Sequence, residues 1–533
     1  MNANARIKTT YGHSTPNPQV WRNTYNAASW LVTSEDPTNI QTAYTYNPAG
    51  DTLTVTTAAN TDSWLCTINT YDAAGRLAST TTQTPQRILP ETRYTYLPDG
   101  STEKIETPLW YEDATVVYQT VKMEYDAAGR LIARITNPQE PNQYRESYTY
   151  NILSWQTDTY AACGTPDETR THSVFARTGW VTKSYTVNPE EPADLYATRT
   201  YYTLSGLVKK VVDPQQWADN DNSPDPRNTS YTYNKAGWLI RVTNAAGTPT
   251  QYRYSNAGRR IQLLYWQEPP FTEETAIRVY YEYHPDGSLK SINQPGFEGR
   301  DITTFDYDDF GNLALKTKPD TTQIRYIYDS LNRLVNVDFG NDGTIDREFA
   351  YNPHSNITHI KDAFTDSTYT YNDLQQVVSI TDNTYTPAKE IQYTYYLCGL
   401  RKEMTDPENN HHQYRYDKLL RLVEITRNGE VVATYAYNAL SQRTDLWRGT
   451  QQNFVIHTNY SYNHPMKWLT GVYNYGSNDT TLLSRYDYAE HDLVGNRTMI
   501  RFEQKQPDGT VFLVKRRYEY DELYQLTREI TDG

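Results

Sequence analysis

Tyr125-Asp126-Ala127-Ala128-Gly129-Arg130-Leu131 repeats, almost letter for letter, the earlier stretch Tyr71-Asp72-Ala73-Ala74-Gly75-Arg76-Leu77. The same frame returns at Tyr233-Asn234-Lys235-Ala236-Gly237-Trp238-Leu239, Tyr307-Asp308-Asp309-Phe310-Gly311-Asn312-Leu313 and Tyr328-Asp329-Ser330-Leu331-Asn332-Arg333-Leu334. It closes with Tyr416-Asp417-Lys418-Leu419-Leu420-Arg421-Leu422 and Tyr520-Asp521-Glu522-Leu523-Tyr524-Gln525-Leu526. Each copy reads as one β-hairpin. Upstream lies an alternating run such as Tyr148-Thr149-Tyr150, whose two rings share a strand face. Asp or Asn then opens a turn by bonding backbone further on. Gly, or sometimes Asn or Ser, suits the left-handed position of a type I turn with a bulge. A second strand follows, as in Leu131-Ile132-Ala133-Arg134-Ile135-Thr136.

Looser copies start at Tyr25, Tyr46, Tyr96, Tyr150, Phe175, Tyr202, Tyr254, Tyr283, Tyr351, Tyr371, Tyr395, Tyr437, Tyr462 and Tyr488. The total is about 21 copies at a spacing of about 20–32 residues, the range of repeat architectures. The expectation is therefore an all-β array of hairpins running through residues 1–533, with no separate catalytic domain. About 42 strands at ~4.8 Å each would make one flat sheet roughly 200 Å wide. Open twisted sheets do not grow so wide without curling or splitting, so this one must wind on itself or break into layers. A propeller is the rival, but its blades need twice the repeat length. Linkers such as Asn137-Pro138-Gln139-Glu140-Pro141, Asp213-Pro214-Gln215-Gln216 and Asp406-Pro407-Glu408-Asn409 mark strand ends, because Pro cannot donate to a ladder. The longest, Trp217 to Arg227, reads as an exposed loop.

Composition agrees with such a wall. The chain has 49 Tyr but only 11 Phe and 5 Met, and hydrophobic residues make up 37%. Aliphatics are too few for a thick two-layer core, whereas Tyr and Thr favour strands and Tyr tolerates a half-wet surface. This leans the expectation toward a hollow coil. Net charge is −14 without a basic block, which argues against a phosphate-tracking nucleic-acid surface. No stretch reaches the ~20 apolar residues of a membrane span, and the N-terminal residues have no apolar core of a secretory signal. Cys66, Cys163 and Cys398 are odd in number and far apart, so they read as three ordinary thiols.

Chemistry-bearing candidates are weak. His354, His359 and Asp362, and the adjacent His411 and His412, do not converge at strand spacing. Asp338-Phe339-Gly340-Asn341-Asp342-Gly343-Thr344-Ile345-Asp346 echoes a calcium loop, but Asn-Asp-Gly is also an ordinary hairpin turn. Asp219, Asp221 and Asp225 offer a second, weaker echo. Glu273-Glu274 and Asp308-Asp309 could suggest paired glycosidase carboxylates, yet 64 acidic residues produce such pairs by chance. No nucleophile elbow, phosphate-cradling loop or HExxH occurs. The chain thus reads as non-enzymatic, with no catalytic, cofactor or metal residue assigned and no cofactor expected. Trp30, Trp155, Trp180 and Trp238 follow the turns and could stack on sugars or pack on neighbouring repeats.

The frame Tyr-[Asp/Asn]-x-x-Gly-x-Leu, seen at Tyr71 to Leu77 and Tyr125 to Leu131, resembles the YD repeat of Rhs proteins, teneurins and toxin-complex B and C components. The resemblance covers nearly the whole chain. It implies a long β-sheet spiralling into a hollow shell that encloses a C-terminal toxin or, in teneurins, serves adhesion. It further implies secretion or surface delivery, and older family descriptions add carbohydrate binding. The shell-closing segment of such proteins, with its Asp-Pro-x-Gly-Leu motif, is not found. Asp492-Leu493-Val494-Gly495-Asn496-Arg497-Thr498 reads instead as a late repeat. A fragment of a larger protein is the expectation, with a toxin cargo or capping domain as partner. The alternative function is an extracellular glycan- or protein-binding adhesion module. Uncapped terminal strands would also invite end-to-end association.

Overall fold

The computed structural model describes residues 6–11, 19–141, 143–188, 196–214, 228–296, 299–506 and 508–532. Among them are 43 β-strands and no α-helix. After the first strand, the remaining strands form 21 consecutive hairpins, one for each copy of the frame. The strands belong to one sheet and pair antiparallel with their neighbours in sequence. The long loop around Trp217 to Arg227, with Asp219, Asp221 and Asp225, lies outside the described residues.

Local chemistry explains why each frame makes a hairpin. In the copy formed by β10 (Thr115–Tyr125) and β11 (Leu131–Thr136), Gly129 N–H donates to the Asp126 carbonyl at 2.9 Å. Asp126 N–H donates to the Arg130 carbonyl at 3.0 Å. The Asp126 Oδ1 accepts from the Ala128 and Arg130 N–H groups at 2.9 and 3.0 Å, so one side chain organises the whole tip. Gly129 sits at φ 76°, where a Cβ would be strained. The ladder then slips: Glu124 faces Ala133 but Tyr125 faces Leu131, which leaves Ile132 as the bulge. The same slip recurs at Tyr71, Tyr150, Tyr233 and Tyr371. Inside the Tyr-Thr-Tyr runs, the middle hydroxyl often bonds across the hairpin, as in Thr45–Thr54 at 2.6 Å and Thr370–Ser379 at 2.7 Å.

The copy read from Tyr488 needs one correction. Its tip begins at His491, with Gly495 N–H donating to the Asp492 carbonyl, and two bulges separate Tyr488 from His491. The strand runs three residues past Tyr488, one of them the bulge residue Ala489, and puts an imidazole where other copies hold tyrosine.

The chain divides into two compact units, each drawn from segments far apart in sequence. One comprises Met1–Thr120, Tyr281–Tyr414 and Arg427–Gly429; the other comprises Val121–Tyr280, Arg415–Thr426 and Glu430–Gly533. Fully buried side chains are few, and a small cluster of Leu264, Trp266 and Ala276 packed by Phe271 is the one defined hydrophobic core among the described residues. Most tyrosines are half-buried, as a wall poor in aliphatics requires.

Candidate functional site: hairpin tips and the layer seam

Two tip positions do separate jobs. The frame tyrosine reaches back to the preceding hairpin. Tyr150 Oη donates to the Leu131 carbonyl at 2.7 Å, Tyr96 to Leu77 at 2.8 Å and Tyr371 to Ile357 at 2.6 Å. In every such pair the acceptor is the first residue after the previous tip, as it is for Tyr46, Tyr233, Tyr254 and Tyr437. Burial raises the Tyr150, Tyr371 and Tyr437 phenols above their ordinary value, so each stays protonated and able to donate.

The residue after the tip glycine clamps the next hairpin. Where it is arginine after a tip opened by aspartate, it pairs with that aspartate and covers the next tyrosine. Arg130 Nε donates to Asp126 Oδ2 at 2.7 Å, its Nη1 donates to the Asn151 carbonyl at 3.2 Å, and its guanidinium lies 4.9 Å from the Tyr150 ring centre. Arg76, Arg333 and Arg421 repeat this over Tyr96, Tyr351 and Tyr437. The Arg130 side chain, and then its backbone N–H, hold the Asp126 carboxyl below the usual carboxylate range. Where the residue is tryptophan, the indole covers the next ring and presses on the next tip. Trp180 lies 5.2 Å from Tyr202, and Trp238 lies 5.5 Å from Tyr254. A Cβ on Gly206 would stand 2.7 Å from Trp180, and one on Gly258 would stand 2.8 Å from Trp238. Trp30 and Trp155 pack likewise on Tyr46 and Phe175. All four tryptophans singled out in the sequence are therefore inter-repeat clamps.

Within each unit, linker loops of the early segment meet hairpin tips of the late segment. In the first unit, Gln19 Nε2 donates to Asn332 Oδ1 at 2.6 Å, and His354 Nε2 lies 2.6 Å from the Ser63 carbonyl. Asp373 receives Thr84 Oγ1 and Arg87 Nε, each at 2.9 Å, and Arg87 Nη2 at 3.0 Å. In the second unit, Asn137 Nδ2 donates to the Lys418 carbonyl at 2.9 Å. Ala439 N–H donates to Asp167 Oδ2 at 3.0 Å, and Tyr524 Oη to Asp213 Oδ2 at 2.9 Å. The partners are separated by 272 to 313 residues, so both units stack one pass of the hairpin array on another. His354, which strand spacing brings to no other candidate, belongs to this seam.

The other candidates are engaged locally. His359 meets Asp366 at 2.9 Å, Asp362 receives Arg347 at 2.7 Å, and His412 lies 3.4 Å from Asp406 while His411 lies 3.2 Å from Thr405 Oγ1. In the loop from Asp338 to Asp346, the buried Asp338 carboxylate accepts from the Asp342 and Gly343 N–H groups at 3.2 and 3.0 Å. Asp342 accepts from Thr344 N–H and Asp346 from Phe339 N–H. These carboxylates cap their own loop, and among the described residues no three His, Cys, Asp or Glu side chains converge as a metal site would require. Glu273 pairs with Arg253, while Asp308 holds its tip through the Phe310 and Asn312 N–H groups. Cys66, Cys163 and Cys398 are free thiols. The sequence reading passed over Asp158, which is buried against Arg170 at 2.7 Å and His172 at 2.8 Å. Burial acts to raise its carboxyl, but hydrogen bonds from His172, Thr149 and Arg170 prevail and hold it at about 2.

Comparison with known proteins fits this geometry. The teneurin YD-shell family matches residues 202–363. A crystal structure of TcdB2-TccC3 superposes with a TM-score of 0.75 at 16% identity, covering 98% of this chain and 32% of its own. The chain has the YD-shell fold. The Photorhabdus luminescens Tc holotoxin pore carrying a TccC3 mutation superposes with a TM-score of 0.74, also at 16% identity, over 98% of this YD-repeat chain and 33% of its own. A curated relative, Double-stranded DNA deaminase toxin A of Burkholderia cenocepacia (strain H111), is 26% identical over 362 residues. That alignment spans 62% of this chain and 24% of the toxin, so the YD-repeat chain corresponds to a minor part of its relative's length.

Proposed function

We propose that the chain is the wall of a shell that encloses or presents a cargo such as a toxin domain, and that it works by steric exclusion with no reacting group. The observation that supports this best is the seam. Tips and linkers hundreds of residues apart are locked side by side in both units, which is what a layered wall needs and what a catalytic cleft does not. Shared length with a protein named as a toxin favours toxin cargo, and a secreted or cell-surface placement follows from the same reading. No nucleic-acid partner is implied. No helix among the described residues is long and apolar enough to cross a membrane.

A fused reporter tests the reading. The chain is produced with a small folded domain carrying a protease site at its C-terminus, and cleavage is compared with that of the free domain. Slowing by about tenfold or more is expected for a reporter kept from bulk solvent, since exclusion removes the open, cleavable population. Equal cleavage rates exclude enclosure. The adhesion reading would then take precedence. It draws on open grooves beside Trp238 (≈ 790 Å³, with Arg241, Gln251 and Arg253) and Trp180 (≈ 720 Å³, with Lys183 and Arg199). A glycan array on the wild-type chain and on Trp238→Ala would read it out.

A further inference from the structure

One copy of the frame is built on histidine. In the tips described above, aspartate or asparagine opens the turn, arginine or tryptophan clamps it, and the tyrosine of the next hairpin donates to the residue after the clamp. The tip between strands Phe454–Ser461 and Gly471–Gly476 keeps that plan with other residues. His464 opens it. Its carbonyl accepts the Lys467 N–H at 2.7 Å, and its Nδ1 accepts the Met466 N–H at 3.1 Å, as a tip carboxylate does elsewhere. Lys467 takes the left-handed position at φ 56°, and Trp468 follows as the clamp. The next frame position is His491, whose ring hydrogen-bonds the Leu469 carbonyl, the acceptor that tyrosine uses in other copies.

The three rings form one cluster. Trp468 lies 4.4 Å from His464, stacked at 14°, and 5.4 Å from His491, and the two imidazoles are 5.8 Å apart. Trp468 also presses on the next tip, where a Cβ on Gly495 would stand 3.1 Å from it. The charged groups that bear on His491 are His464 from the preceding tip, Arg497 from the opposite strand and Asp492 from its own tip. Asp492 is already engaged in capping, accepting from the Val494 and Asn496 N–H groups at 3.1 and 2.8 Å. Burial, then His464 and Arg497, push the His491 imidazole below its ordinary value against the smaller pull of Asp492 and the Leu469 carbonyl. For His464 the geometry itself speaks, because a proton on Nδ1 removes the acceptor of the Met466 N–H.

The same tip belongs to the seam. Lys467 Nζ donates to the Pro166 carbonyl at 3.0 Å and stands 3.9 Å from the Asp167 carboxylate, and Trp468 meets Tyr196 edge-on at 6.1 Å. All of these residues lie in the second unit. We propose that the His464–His491 pair makes this part of the seam acid-labile: when both imidazoles take up a proton they repel each other and Arg497, the Met466 bond is lost, and the tip releases the following hairpin together with the early segments at Pro166 and Tyr196. The sign follows from linkage. The closed seam holds His491 less ready to bind a proton than a released imidazole, so the seam is fully held above pH 6.5 and loosens as pH falls below it. A tyrosine latch carries no group that charges in this range. The inference does not depend on the cargo reading.

Hydrogen exchange of the whole chain at pH 7.5 and 5.5, corrected for the intrinsic pH dependence of amide exchange, tests it. In wild type, opening at residues 164–168, 463–470 and 491–497 is expected to rise about tenfold at pH 5.5, while residues 131–150, latched by Tyr150, keep their protection. Two double variants remove the titrating pair in different ways. His464→Asp with His491→Tyr restores the usual frame, and His464→Asn with His491→Gln keeps neutral hydrogen-bonding groups, so a failure of one to fold leaves the other to decide. Either variant should hold the seam equally at both pH values. Wild-type exchange at the tip that is unchanged between the two pH values would overturn the proposal. So would a folded variant that opens in acid as much as wild type, which would assign the acid response to the Asp167 carboxylate instead of the histidines.

Discussion

The Tyr150 hydroxyl shows what one atom does in this array. It fixes the distance between two hairpins by donating to the Leu131 carbonyl, and its ring lies beneath Arg130. Tyr150→Phe keeps the ring and removes the bond, so the expected loss is about 1 kcal/mol of local stability. Hydrogen exchange of the amides between Leu131 and Tyr150 should then rise about fivefold, as a penalty of that size implies. The reverse change is available at Phe175, a frame position that lacks the hydroxyl. Phe175→Tyr is expected to slow exchange in its hairpin, because the equivalent acceptor, the carbonyl of Gln156, follows the preceding tip. The sequence supplied the frame and the turn chemistry, yet it did not reveal the bond, because periodicity places a ring on a face and is silent about where its hydroxyl ends. Asp158 was illegible for a similar reason: it sits outside the frame, and its partners Arg170 and His172 come from the next strand. Its carboxyl titrates at about 2 instead of 3.8. Its contribution, about 2 kcal/mol, is therefore complete above pH 3.8 and is lost as pH falls toward 2. An Asp158→Asn chain, melted between pH 6 and pH 2, should be the less stable at pH 6 and converge on wild type at the acid end. Parallel melting curves across that range would reject the assignment.

At the scale of the hairpin, the tip glycine has two separate reasons to be glycine. At Gly129 the reason is backbone alone, since φ is 76° and no atom lies within 4 Å of a built Cβ. At Gly206 the backbone reason holds at φ 85°, and Trp180 from the preceding hairpin leaves only 2.7 Å for a Cβ. Gly129→Ala should then cost about 1 kcal/mol, the left-handed penalty, and Gly206→Ala about 3 kcal/mol, because the indole must also move. Thermal midpoints and exchange at the two tips would separate the cases. Equal losses would mean that the tryptophan clamp yields freely. This distinction was half legible. The frame marks both glycines alike, and all 21 hairpins were counted from it, including those where Leu420, Gln375 or Tyr524 takes the left-handed position without glycine. What could not be counted was the clamp, because a tryptophan after the turn is equally compatible with a sugar platform until its neighbour is seen. His491 shows the limit of the frame itself, where a longer strand with an added bulge carries the tip three residues past the tyrosine that announced it.

Across the molecule, winding is decided by contacts that local sequence does not encode. The arithmetic of strand width required the sheet to wind or break, but it gave neither the period nor the partners. The structure gives both within each unit, with linkers meeting tips 272 to 313 residues later through polar side chains instead of a hydrophobic layer. That chemistry follows from composition, since a chain with so few aliphatics must join its layers by hydrogen bonds and ion pairs. The seam around Asp373 is the sharpest case. Its carboxylate receives a two-toothed contact from Arg87 and the hydroxyl of Thr84, whose residue is 2% exposed. Much of the Arg87 side chain is in solvent, so the ion pair alone is worth little. The buried hydroxyl is different, because removing Asp373 leaves it only the longer 3.3 Å bond to the Arg87 carbonyl, with no water in exchange. Asp373→Ala should therefore cost about 1 kcal/mol, most of it through Thr84. Thr84→Val should cost about as much, since the same hydroxyl also accepts from the Gln86 and Arg87 N–H groups at 3.3 and 3.2 Å. Exchange should rise at residues 84–88 and 372–376 while the ladder of β7 (Leu77–Gln83) stays protected, because each hairpin keeps its own hydrogen bonds when the seam opens. If the two passes were held by their hairpins alone, neither substitution would change exchange at the linker, and the seam would be contact without cohesion.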